Sequence, residues 1–463
     1  MGLSSLNELA LNSNFLKVSI PPSLGNLTNL AILFLHNYSL SGSIPSEIGN
    51  LKSISSLALG YNKFCGSIPL FLGNLTNLDT LYLHNNSFSS SIPSEIGNLK
   101  PLSILELGEN RLNGLIPLSL GNLTNLDTLY LYKNSLSSSI QSEIGNLKYF
   151  SGLELAYNEL NGSILYSLGN LTNLATLFLY KKSLSSSIPS EIGNLKPLFK
   201  LDLSENKLSG SIPHSLGNLT NLAILYLYNN SFSSSIPREI GNLKSLFNIE
   251  LSKNRLNGLI PHSLGNLTNL ANLYLHSNTL LGSFPSEIGN LKSLFDLELG
   301  DNKLSNSIPH SLGNFTHMIV LSLFDNALYG VIREELGNLL KLTMLTLSDN
   351  QLRGLIPNLR NLTNLIRLHL DRNHLTGNIF ESFNNHPNLT FVDLNYNNFY
   401  VQISSDWGKC PNLGTLDVSV NNITGSQPPE IGKSSQLHII DLSSNHIIGE
   451  IPSEIDKLSE ILS

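Results

Sequence analysis

Cysteine, tryptophan, methionine and charge are all scarce in this sequence. Its 463 residues include 2 cysteines, 1 tryptophan and 3 methionines, and only 13% are Asp, Glu, Lys or Arg. Two cysteines cannot build the disulfide framework of a small secreted domain, and there are no paired Cys-x-x-Cys motifs for a zinc site. The net charge of −7 gives no basic surface for nucleic acid. No run of about 18 apolar residues is present to cross a bilayer.

Catalytic signatures are absent as well. The sequence has no HExxH or GxSxG motif, and it lacks the Gly-rich loop, HRD and DFG motifs of a protein kinase. The segment GKS at 432–434 resembles the end of a phosphate loop, but Gln427 stands where the first glycine is required. We interpret His84, His276 and His369 as surface contact residues rather than metal ligands. We therefore predict no enzymatic activity, no metal and no cofactor.

A segment of 24 residues, LSILELGENRLNGLIPLSLGNLTN at 102–125, is repeated along almost the whole chain. Leucine or isoleucine at six fixed positions predicts the inward side of one coil of a solenoid, because this spacing fits neither a long helix nor an alternating strand. We expect one short inner strand in each coil, and the short LGNL segment leaves room for only one helical turn. The predicted fold class is an α/β repeat solenoid with an inner parallel β-sheet.

One asparagine in each coil makes the coils countable. In the segment above it is Asn110, whose amide is expected to satisfy backbone groups of its own turn and of the neighbouring turn. Tyr38 and Lys182 stand where this asparagine is due, and the step from Asn350 to Asn373 is one residue short. With these included there are roughly nineteen coils, which we assign to a single domain covering residues 1–463.

Lys182 presents a specific packing problem, because an ammonium group replaces an inward amide and the burial of an unpaired charge is unfavourable. We expect either that the ammonium reaches solvent past the turn or that the local hydrogen-bond ladder opens. A second departure from the consensus begins near residue 315. The asparagine column continues through it, so we expect no break in the strand stack there.

The consensus LxxLxLxxNxLxGxIPxxLGNLxx resembles that of the ectodomains of plant leucine-rich-repeat receptor-like kinases. The segments LHLDRNHLTGNI, FVDLNYNNF, DWGKCPNL and IIDLSSNHIIGEIPSEI are most similar to the male-discoverer-interacting receptor-like kinase group. The resemblance implies a plant-type superhelix outside the plasma membrane that recognises a peptide or protein, with a co-receptor kinase ectodomain as second partner, for signalling or immunity. The alternative is a soluble leucine-rich-repeat protein, a decoy or wall-enzyme inhibitor, with no kinase attached.

Members of this family usually carry paired cysteines in caps at the ends of the array, and neither pair is present here. Cys65 and Cys410 are about fourteen coils apart, and at about 4.8 Å per coil they cannot form a disulfide, so we expect free thiols. Met1 lies within a coil with no signal-peptide pattern before it, and Ser463 interrupts another coil. We expect a chain truncated at both ends, with any Ser/Thr kinase domain in the parent receptor.

The tripeptide Asn-Leu-Thr recurs in the GNLTNL part of the consensus. In the secretory pathway such sequons accept N-linked glycans. The candidate glycosylation sites are Asn26, Asn74, Asn122, Asn170, Asn218, Asn266 and Asn361. The alternative is that one ancestral sequon was copied with the repeat, so that the number of copies carries no independent weight.

The inner strands present two outward columns of side chains that we predict to bind a ligand. The first column alternates between aromatic and acidic residues, and the second adds a further ring two residues later. The first column contains Tyr82, Glu106, Tyr130, Glu154, Phe178, Asp202, Tyr226, Glu250, Tyr274 and Glu298, and the second contains His84, Tyr132, Tyr180, Tyr228 and His276. Such a surface suits an extended peptide with basic or aromatic side chains.

A second interpretation of these columns stays open. The true duplicated unit is 48 residues long, so duplication would copy any surface pattern without selection for binding. Neighbouring Tyr and Glu side chains could then simply cover the sheet and hydrogen-bond each other.

Arg367 and His369 are a further candidate site, because they leave the strand LIRLHLDRN on the same side, about 6.6 Å apart along it. In peptide-sensing relatives an Arg-x-Arg pair resembles them and is implied to receive the terminal carboxylate of the peptide, a role that suits charged, fork-shaped donors. A histidine with an ordinary pKa of about 6.5 would be charged mainly in mildly acidic surroundings. The alternative is a solvated strand face compensated by Asp371 and Asp393.

Overall fold

The computed structural model describes residues 5–14, 16–37, 39–379, 386–400, 410–426 and 436–451. Tyr38, the GKS segment at 432–434 and the interrupted coil after residue 451 lie outside these ranges. The chain divides into two compact units, Met1–Phe232 and Ser233–Ser463. The prediction of one domain over 1–463 therefore stays a prediction, and each unit is described by itself.

Each coil contributes an inner strand of three residues, followed by a turn and a second strand of two to five residues. Up to the boundary between the units the strands are β1 (Glu8–Ala10), β2 (Lys17–Val18), β3 (Ile32–Phe34), β4 (Ser39–Gly42), β5 (Ser56–Ala58), β6 (Lys63–Ser67), β7 (Thr80–Tyr82), β8 (Ser87–Ser90), β9 (Ile104–Glu106), β10 (Arg111–Gly114), β11 (Thr128–Tyr130), β12 (Ser135–Ser138), β13 (Gly152–Glu154), β14 (Glu159–Ser163), β15 (Thr176–Phe178), β16 (Ser183–Ser186), β17 (Lys200–Asp202), β18 (Lys207–Gly210), β19 (Ile224–Tyr226) and β20 (Ser231–Ser234). The second unit continues with β21 (Asn248–Glu250), β22 (Arg255–Gly258), β23 (Asn272–Tyr274), β24 (Thr279–Ser283), β25 (Asp296–Glu298), β26 (Lys303–Asn306), β27 (Val320–Ser322), β28 (Ala327–Gly330), β29 (Met344–Thr346), β30 (Gln351–Gly354), β31 (Arg367–His369), β32 (His374–Gly377), β33 (Phe391–Asp393), β34 (Asn398–Phe399), β35 (Thr415–Asp417), β36 (Thr424–Gly425), β37 (Ile439–Asp441) and β38 (His446–Ile447).

Among the described residues fourteen coils carry a single 3-10 helix of five residues, and the shortened coil between Asn350 and Asn373 carries none. In the first unit these helices are Pro22–Asn26, Ser46–Asn50, Leu70–Asn74, Ser94–Asn98, Leu118–Asn122, Ser142–Asn146, Tyr166–Asn170, Ser190–Asn194 and His214–Asn218, and in the second unit they are Arg238–Asn242, His262–Asn266, Ser286–Asn290, His310–Asn314 and Glu334–Asn338. The described residues contain no α-helix, and none of their helices is long and apolar enough to cross a membrane. The expectation of only one helical turn per coil is confirmed.

Within each unit the odd-numbered inner strands pair in parallel from coil to coil without any shift in register. Thr128 in β11, for example, pairs with Ile104 in β9 and with Gly152 in β13. In the described part of the chain ten inner strands belong to the first unit and nine to the second, which agrees with the roughly nineteen coils that were predicted. Strand β27 pairs with both β25 and β29, so the stack has no break near residue 315. A leucine-rich-repeat solenoid with a parallel inner sheet is confirmed.

The interior of each coil is filled by the six apolar positions of the repeat. In the coil at 102–125 none of these side chains is more than 1% exposed: Leu102, Leu105, Leu107, Leu112, Ile116 and Leu120. The outer end of the coil turns at Pro117, whose φ of −65° suits the start of the 3-10 helix that follows. Burial of these side chains provides the main stabilisation of each coil.

The asparagine column connects consecutive coils through hydrogen bonds. Asn110 Nδ2 donates to the carbonyl oxygens of Leu107 and Gly108 in its own coil, at 3.1 and 3.2 Å, and to that of Leu83 in the preceding coil, at 3.0 Å. Asn110 Oδ1 accepts the amide of Phe88 at 3.0 Å. One side chain therefore satisfies backbone groups of two coils, as the sequence predicted.

Lys182 behaves in neither of the two ways expected. Its backbone amide still donates to the carbonyl of Glu205 at 3.2 Å, and Lys181 keeps a φ of 53°, so the turn stays closed. The Lys182 side chain does not reach solvent, because the residue is 8% exposed and Nζ is buried without a hydrogen-bond partner. Burial lowers the pKa of the Lys182 ammonium to about 7. In other coils the backbone amide 22 residues before the asparagine donates to its side-chain oxygen. Lys182 has no such oxygen, so the amide of Leu160 lacks this acceptor.

The glycine of the GNL segment allows the backbones of consecutive coils to come into close contact. Gly121 is buried, and a Cβ at this position would lie 2.6 Å from both the carbonyl oxygen and the Cβ of Glu143 in the next coil. Gly108 is also crowded, but there the nearest atom, at 2.5 Å, belongs to the ring of Tyr132. Backbone cannot move aside without opening the stack, whereas a ring can rotate.

Replacing the buried lysine should stabilise the protein. We expect Lys182→Asn to raise the free energy of unfolding at pH 7 by about 3 kcal/mol, the usual scale for an uncompensated buried charge. Because the pKa is depressed in the folded state, the cost of Lys182 is largest below about pH 7 and disappears above the unfolded value. The gain should therefore shrink between pH 7 and 10 in urea titrations. An equal gain at both pH values, or none, would contradict this explanation.

Adding one methyl group at the coil contact should destabilise the protein. Gly121→Ala is expected to lower the free energy of unfolding by about 1–3 kcal/mol, because the new Cβ overlaps backbone of the next coil. Gly108→Ala is the matched control, and it should cost less because the Tyr132 ring can swing outward. Thermal denaturation of both variants would measure the difference, and equal losses would show that the backbone contact is not the cause.

Candidate functional site

The alternating column lies on the exposed side of the inner strands, at the last residue of each strand. In the first unit Glu106 pairs with Tyr82 on one side and with Tyr130 on the other. In the second unit Tyr274 lies between Glu250 and Glu298. Every member of both predicted columns is half-buried. The structure therefore brings together, within each unit, the aromatic and acidic residues that the sequence placed in these columns.

Several of these side chains contact an acidic side chain in the neighbouring coil. Tyr274 Oη donates to Asp296 at 2.8 Å, and Tyr228 Oη donates to Glu205 at 3.1 Å. Two histidine–glutamate pairs span adjacent coils, His84 with Glu106 at 3.3 Å and His276 with Glu298 at 3.4 Å. These contacts agree with the covering interpretation, and they also hold the rings and acids in fixed positions that a ligand could use.

The second column is positioned by small residues, a relation that sequence analysis missed. A Cβ built at Gly60 would lie 2.7 Å from the His84 ring, and one built at Gly108 would lie 2.5 Å from the Tyr132 ring. Alanine or serine takes this place in the coils before Tyr180, Tyr228 and His276. The alternation of small and large residues 24 positions apart was visible in the sequence, but only the strand register shows that the two come into contact.

The carboxyl groups of the first column are less acidic than usual. Burial raises the pKa of Glu106, Glu154, Asp202 and Glu250. The pKa of Glu298 rises to about 6, first through burial and then through the nearby carboxylates of Asp296 and Glu250. Burial and neighbouring acids likewise raise the pKa of Tyr132 and Tyr180 to about 12. These carboxyl groups are therefore more easily protonated than usual, and a cationic partner would stabilise their ionised form.

A cavity of about 260 Å³ interrupts the columns in the first unit. Ala58 pairs with Phe34 and with Tyr82, and its short side chain leaves space between these two rings. The rest of the wall is formed by His36, Asn37, Tyr61, His84 and Glu106. An apolar space with one acid at its edge suits an aromatic side chain that carries a polar or cationic end. The absence of an acid at Ala58 was the sequence signal for this cavity.

Arg367 and His369 lie on the same side of β31, as predicted, and share one aromatic neighbour. The His369 ring stacks on Phe391 at 4.6 Å between centroids, and the Arg367 guanidinium lies 5.9 Å from the same ring. Arg367 is exposed and forms no ion pair with any described residue, whereas Asp371 pairs with Arg372 at 2.9 Å. Compensation of Arg367 by Asp371, the alternative raised from the sequence, is therefore not what the structure shows.

The surroundings of His369 disfavour the charge that the sequence suggested. Burial, followed by repulsion from Arg367, lowers the pKa of His369 from its ordinary value. The imidazole therefore needs more acidic surroundings to become charged than an ordinary histidine does. Arg367 is left as the cationic member of the pair.

The seven sequon asparagines are all exposed. Six of them, from Asn26 to Asn266, are the last residues of 3-10 helices, and Asn361 follows the shortened coil. These positions lie away from the inner strands, so glycans there would leave the columns uncovered. Glycosylation itself stays a prediction.

Family models match large parts of the chain. A leucine-rich repeat region model matches residues 158–280 and 227–327. A leucine-rich repeat model matches residues 77–99, 364–386, 412–434 and 436–458. A search of curated proteins gave no match.

Solved receptor structures are similar over almost the whole chain. The plant peptide hormone receptor RGFR1 in complex with RGF2 is 37% identical with a TM-score of 0.97, covering 99% of this chain and 74% of its own. The Arabidopsis receptor kinase HAESA, in complex with the peptide hormone IDA and the co-receptor SERK1, is 36% identical with a TM-score of 0.94, covering 98% and 77%. A TDR receptor is 31% identical with a TM-score of 0.84, covering 99% and 88%.

Because the pKa of Glu298 is raised, replacing this residue by glutamine should increase the free energy of unfolding in a pH-dependent way. A carboxyl whose pKa is higher in the folded state costs stability once it ionises, so the cost is absent below about pH 4.5 and complete above about pH 6. Glu298→Gln should therefore stabilise the protein at pH 7.5, by about 1 kcal/mol after allowance for partial exposure, and hardly at all at pH 4.5.

Glu287→Gln is the control for this measurement. The pKa of Glu287 is lowered, chiefly by its hydrogen bond to His262, so its amide should not stabilise the protein at pH 7.5. Melting temperatures at the two pH values would check both variants. Stabilisation by Glu298→Gln that does not change with pH would count against burial of this carboxyl.

Proposed function

Because this chain belongs to the leucine-rich-repeat family, in the class of plant receptor kinase ectodomains, we propose that it is the extracellular ligand-binding region of a plant cell-surface receptor kinase. Its ligand is a peptide or protein bound on the exposed face of the inner strands. Support comes from relatives whose structures are those of a peptide hormone receptor and of a receptor bound to a peptide hormone. The finer assignment is to the male-discoverer-interacting receptor-like kinase group, in signalling or immunity.

The observation that carries this proposal is the exposure of Arg367 and its lack of an ion pair among the described residues. An exposed guanidinium on the inner face, held against Phe391 and without an ion pair among the described residues, is available to a carboxylate from outside. Charged hydrogen bonds from a guanidinium to a carboxylate are strong and directional. We assign to Arg367 the binding of the ligand's terminal carboxylate, with His369 as a second, weaker donor.

The columns supply the rest of the binding surface. Rings of the first column offer stacking area to aliphatic and aromatic ligand side chains, and the half-buried acids accept Lys or Arg side chains. The cavity beside Ala58 would take one aromatic side chain. Binding of a cation would restore the charge that burial disfavours on acids such as Glu106.

A co-receptor kinase ectodomain is the proposed second partner, by likeness to the HAESA complex that contains SERK1. The proposed location is the outer side of the plasma membrane, where the exposed sequons would carry glycans.

A peptide-display experiment would test the proposed role of Arg367. Short peptides that end in a free carboxylate are selected on the full chain, and each selected peptide is remade with a C-terminal amide. We expect the amide to bind about tenfold more weakly, because a hydrogen bond to a charged group contributes about 1.5 kcal/mol or more. In Arg367→Ala this difference between acid and amide should disappear.

Arg353→Ala provides the matched control, since Arg353 is an exposed arginine on β30, outside the inner strands. It should keep the preference for the free acid. Equal binding of acid and amide by the unmutated protein would remove the proposed carboxylate site, and failure to select any peptide would favour a soluble protein with another partner.

A further inference from the structure

Three potential metal ligands converge next to Arg367. His369 is the last residue of β31, and Asp393, its register partner, is the last residue of β33. Asp371 follows His369 by two residues. One ligand atom from each of these three side chains lies within 4.8 Å of the other two. The strand register, rather than proximity in the sequence, brings Asp393 to this position.

Polar atoms around this cluster are buried without partners. His369 Nε2, Thr346 Oγ1 and Asn395 Oδ1 are inaccessible to solvent and make no hydrogen bond. Thr346 is only 8% exposed and pairs with His369 in the strand register, while Asn395 follows Asp393 by two residues. Buried polar atoms in folded proteins nearly always have a partner. Three unsatisfied atoms around one cluster, each able to donate electrons to a cation, indicate a missing partner.

Negative charge in the cluster is only partly compensated. Arg372 pairs with Asp371 at 2.9 Å and reaches Asp349 at 3.4 Å. Asp393 accepts only the backbone amide of Asn395, at 3.1 Å, and no cation in the described part of the chain forms an ion pair with it. Asp417, the next acid along the same column, is bonded to the Asn395 amide group at 2.8 Å. A bound cation would neutralise the carboxylate that lacks one.

We propose that His369, Asp371 and Asp393 bind a divalent transition-metal cation of the Zn²⁺ or Mn²⁺ type. One imidazole nitrogen with two carboxylates suits these ions, whereas Ca²⁺ and Mg²⁺ prefer sites made of oxygen alone. Ligand atoms around a tetrahedral ion are about 3.4 Å apart, so small side-chain rotations would close the present separation. From the sequence we interpreted His369 as a surface contact and expected no metal, because the histidines are scattered over different coils.

The cation also deepens the role proposed for Arg367, and this part of the inference depends on the proposed function. A metal held by His369, Asp371 and Asp393, with a coordination position left open, would add a second positive centre beside Arg367 for the terminal carboxylate of a peptide. The ligand would then complete the coordination shell.

Metal binding can be tested without any peptide. The full chain, freed of metals with a chelator, is titrated with Zn²⁺ and Mn²⁺ in a calorimeter, and with Co²⁺ while its visible absorption bands are recorded. We expect saturable binding of one ion per chain and Co²⁺ bands typical of nitrogen and oxygen ligands. His369→Ala and Asp393→Asn should each weaken binding at least tenfold, and circular dichroism without metal would verify that both variants are folded.

His310→Ala is the matched control, because His310 contacts a single acid, Glu335, at 2.7 Å on the outer side of the same unit. It should bind the ion as the unmutated protein does. No saturable binding, or equal binding by His369→Ala and Asp393→Asn, would overturn the metal site. Binding of the ion that leaves the preference for a peptide acid over its amide unchanged would overturn only the link to Arg367.

Discussion

The rest of the structure depends on the hydrogen bonds of the asparagine side chain that recurs in all but two coils. Every coil ends its inner strand in a turn whose carbonyl groups point into the interior, where water cannot satisfy them. An amide such as that of Asn110 donates to carbonyls of two coils and accepts an amide from the preceding one. Because one side chain serves two coils, neither coil can move without breaking bonds in the other, and this fixes the strand register.

Register in turn decides which side chains meet on the inner face. Residues 24 positions apart become direct neighbours, so a glycine such as Gly108 can make room for the ring of Tyr132 in the next coil. Lys182 shows that a coil keeps its backbone geometry when the asparagine is replaced. The turn keeps its geometry there although the amide is lost, because backbone bonds to the neighbouring coil remain, and the unfavourable energy is concentrated on one buried ammonium.

The two regions of the inner face differ in regularity. Duplication of a 48-residue unit repeats the columns of rings and acids. Around Arg367 the coils are individual, and the strand register brings His369 and Asp393 together. Buried atoms without a hydrogen-bond partner occur in both regions, for example His276 Nδ1 and Thr346 Oγ1, so the convergence of three potential metal ligands is what distinguishes the second region among the described residues.

The sequence by itself determined the fold, because a 24-residue spacing of apolar residues and asparagine allows only one way to bury both. It also placed Arg367 and His369 on one strand face, since alternation along a strand depends on local geometry alone. Tertiary structure decided what local pattern cannot contain: that Arg372 rather than Arg367 pairs with Asp371, that burial lowers the pKa of His369, and that Asp393 lies beside it. These outcomes depend on distances between coils and on solvent exclusion, which exist only after the coils have stacked.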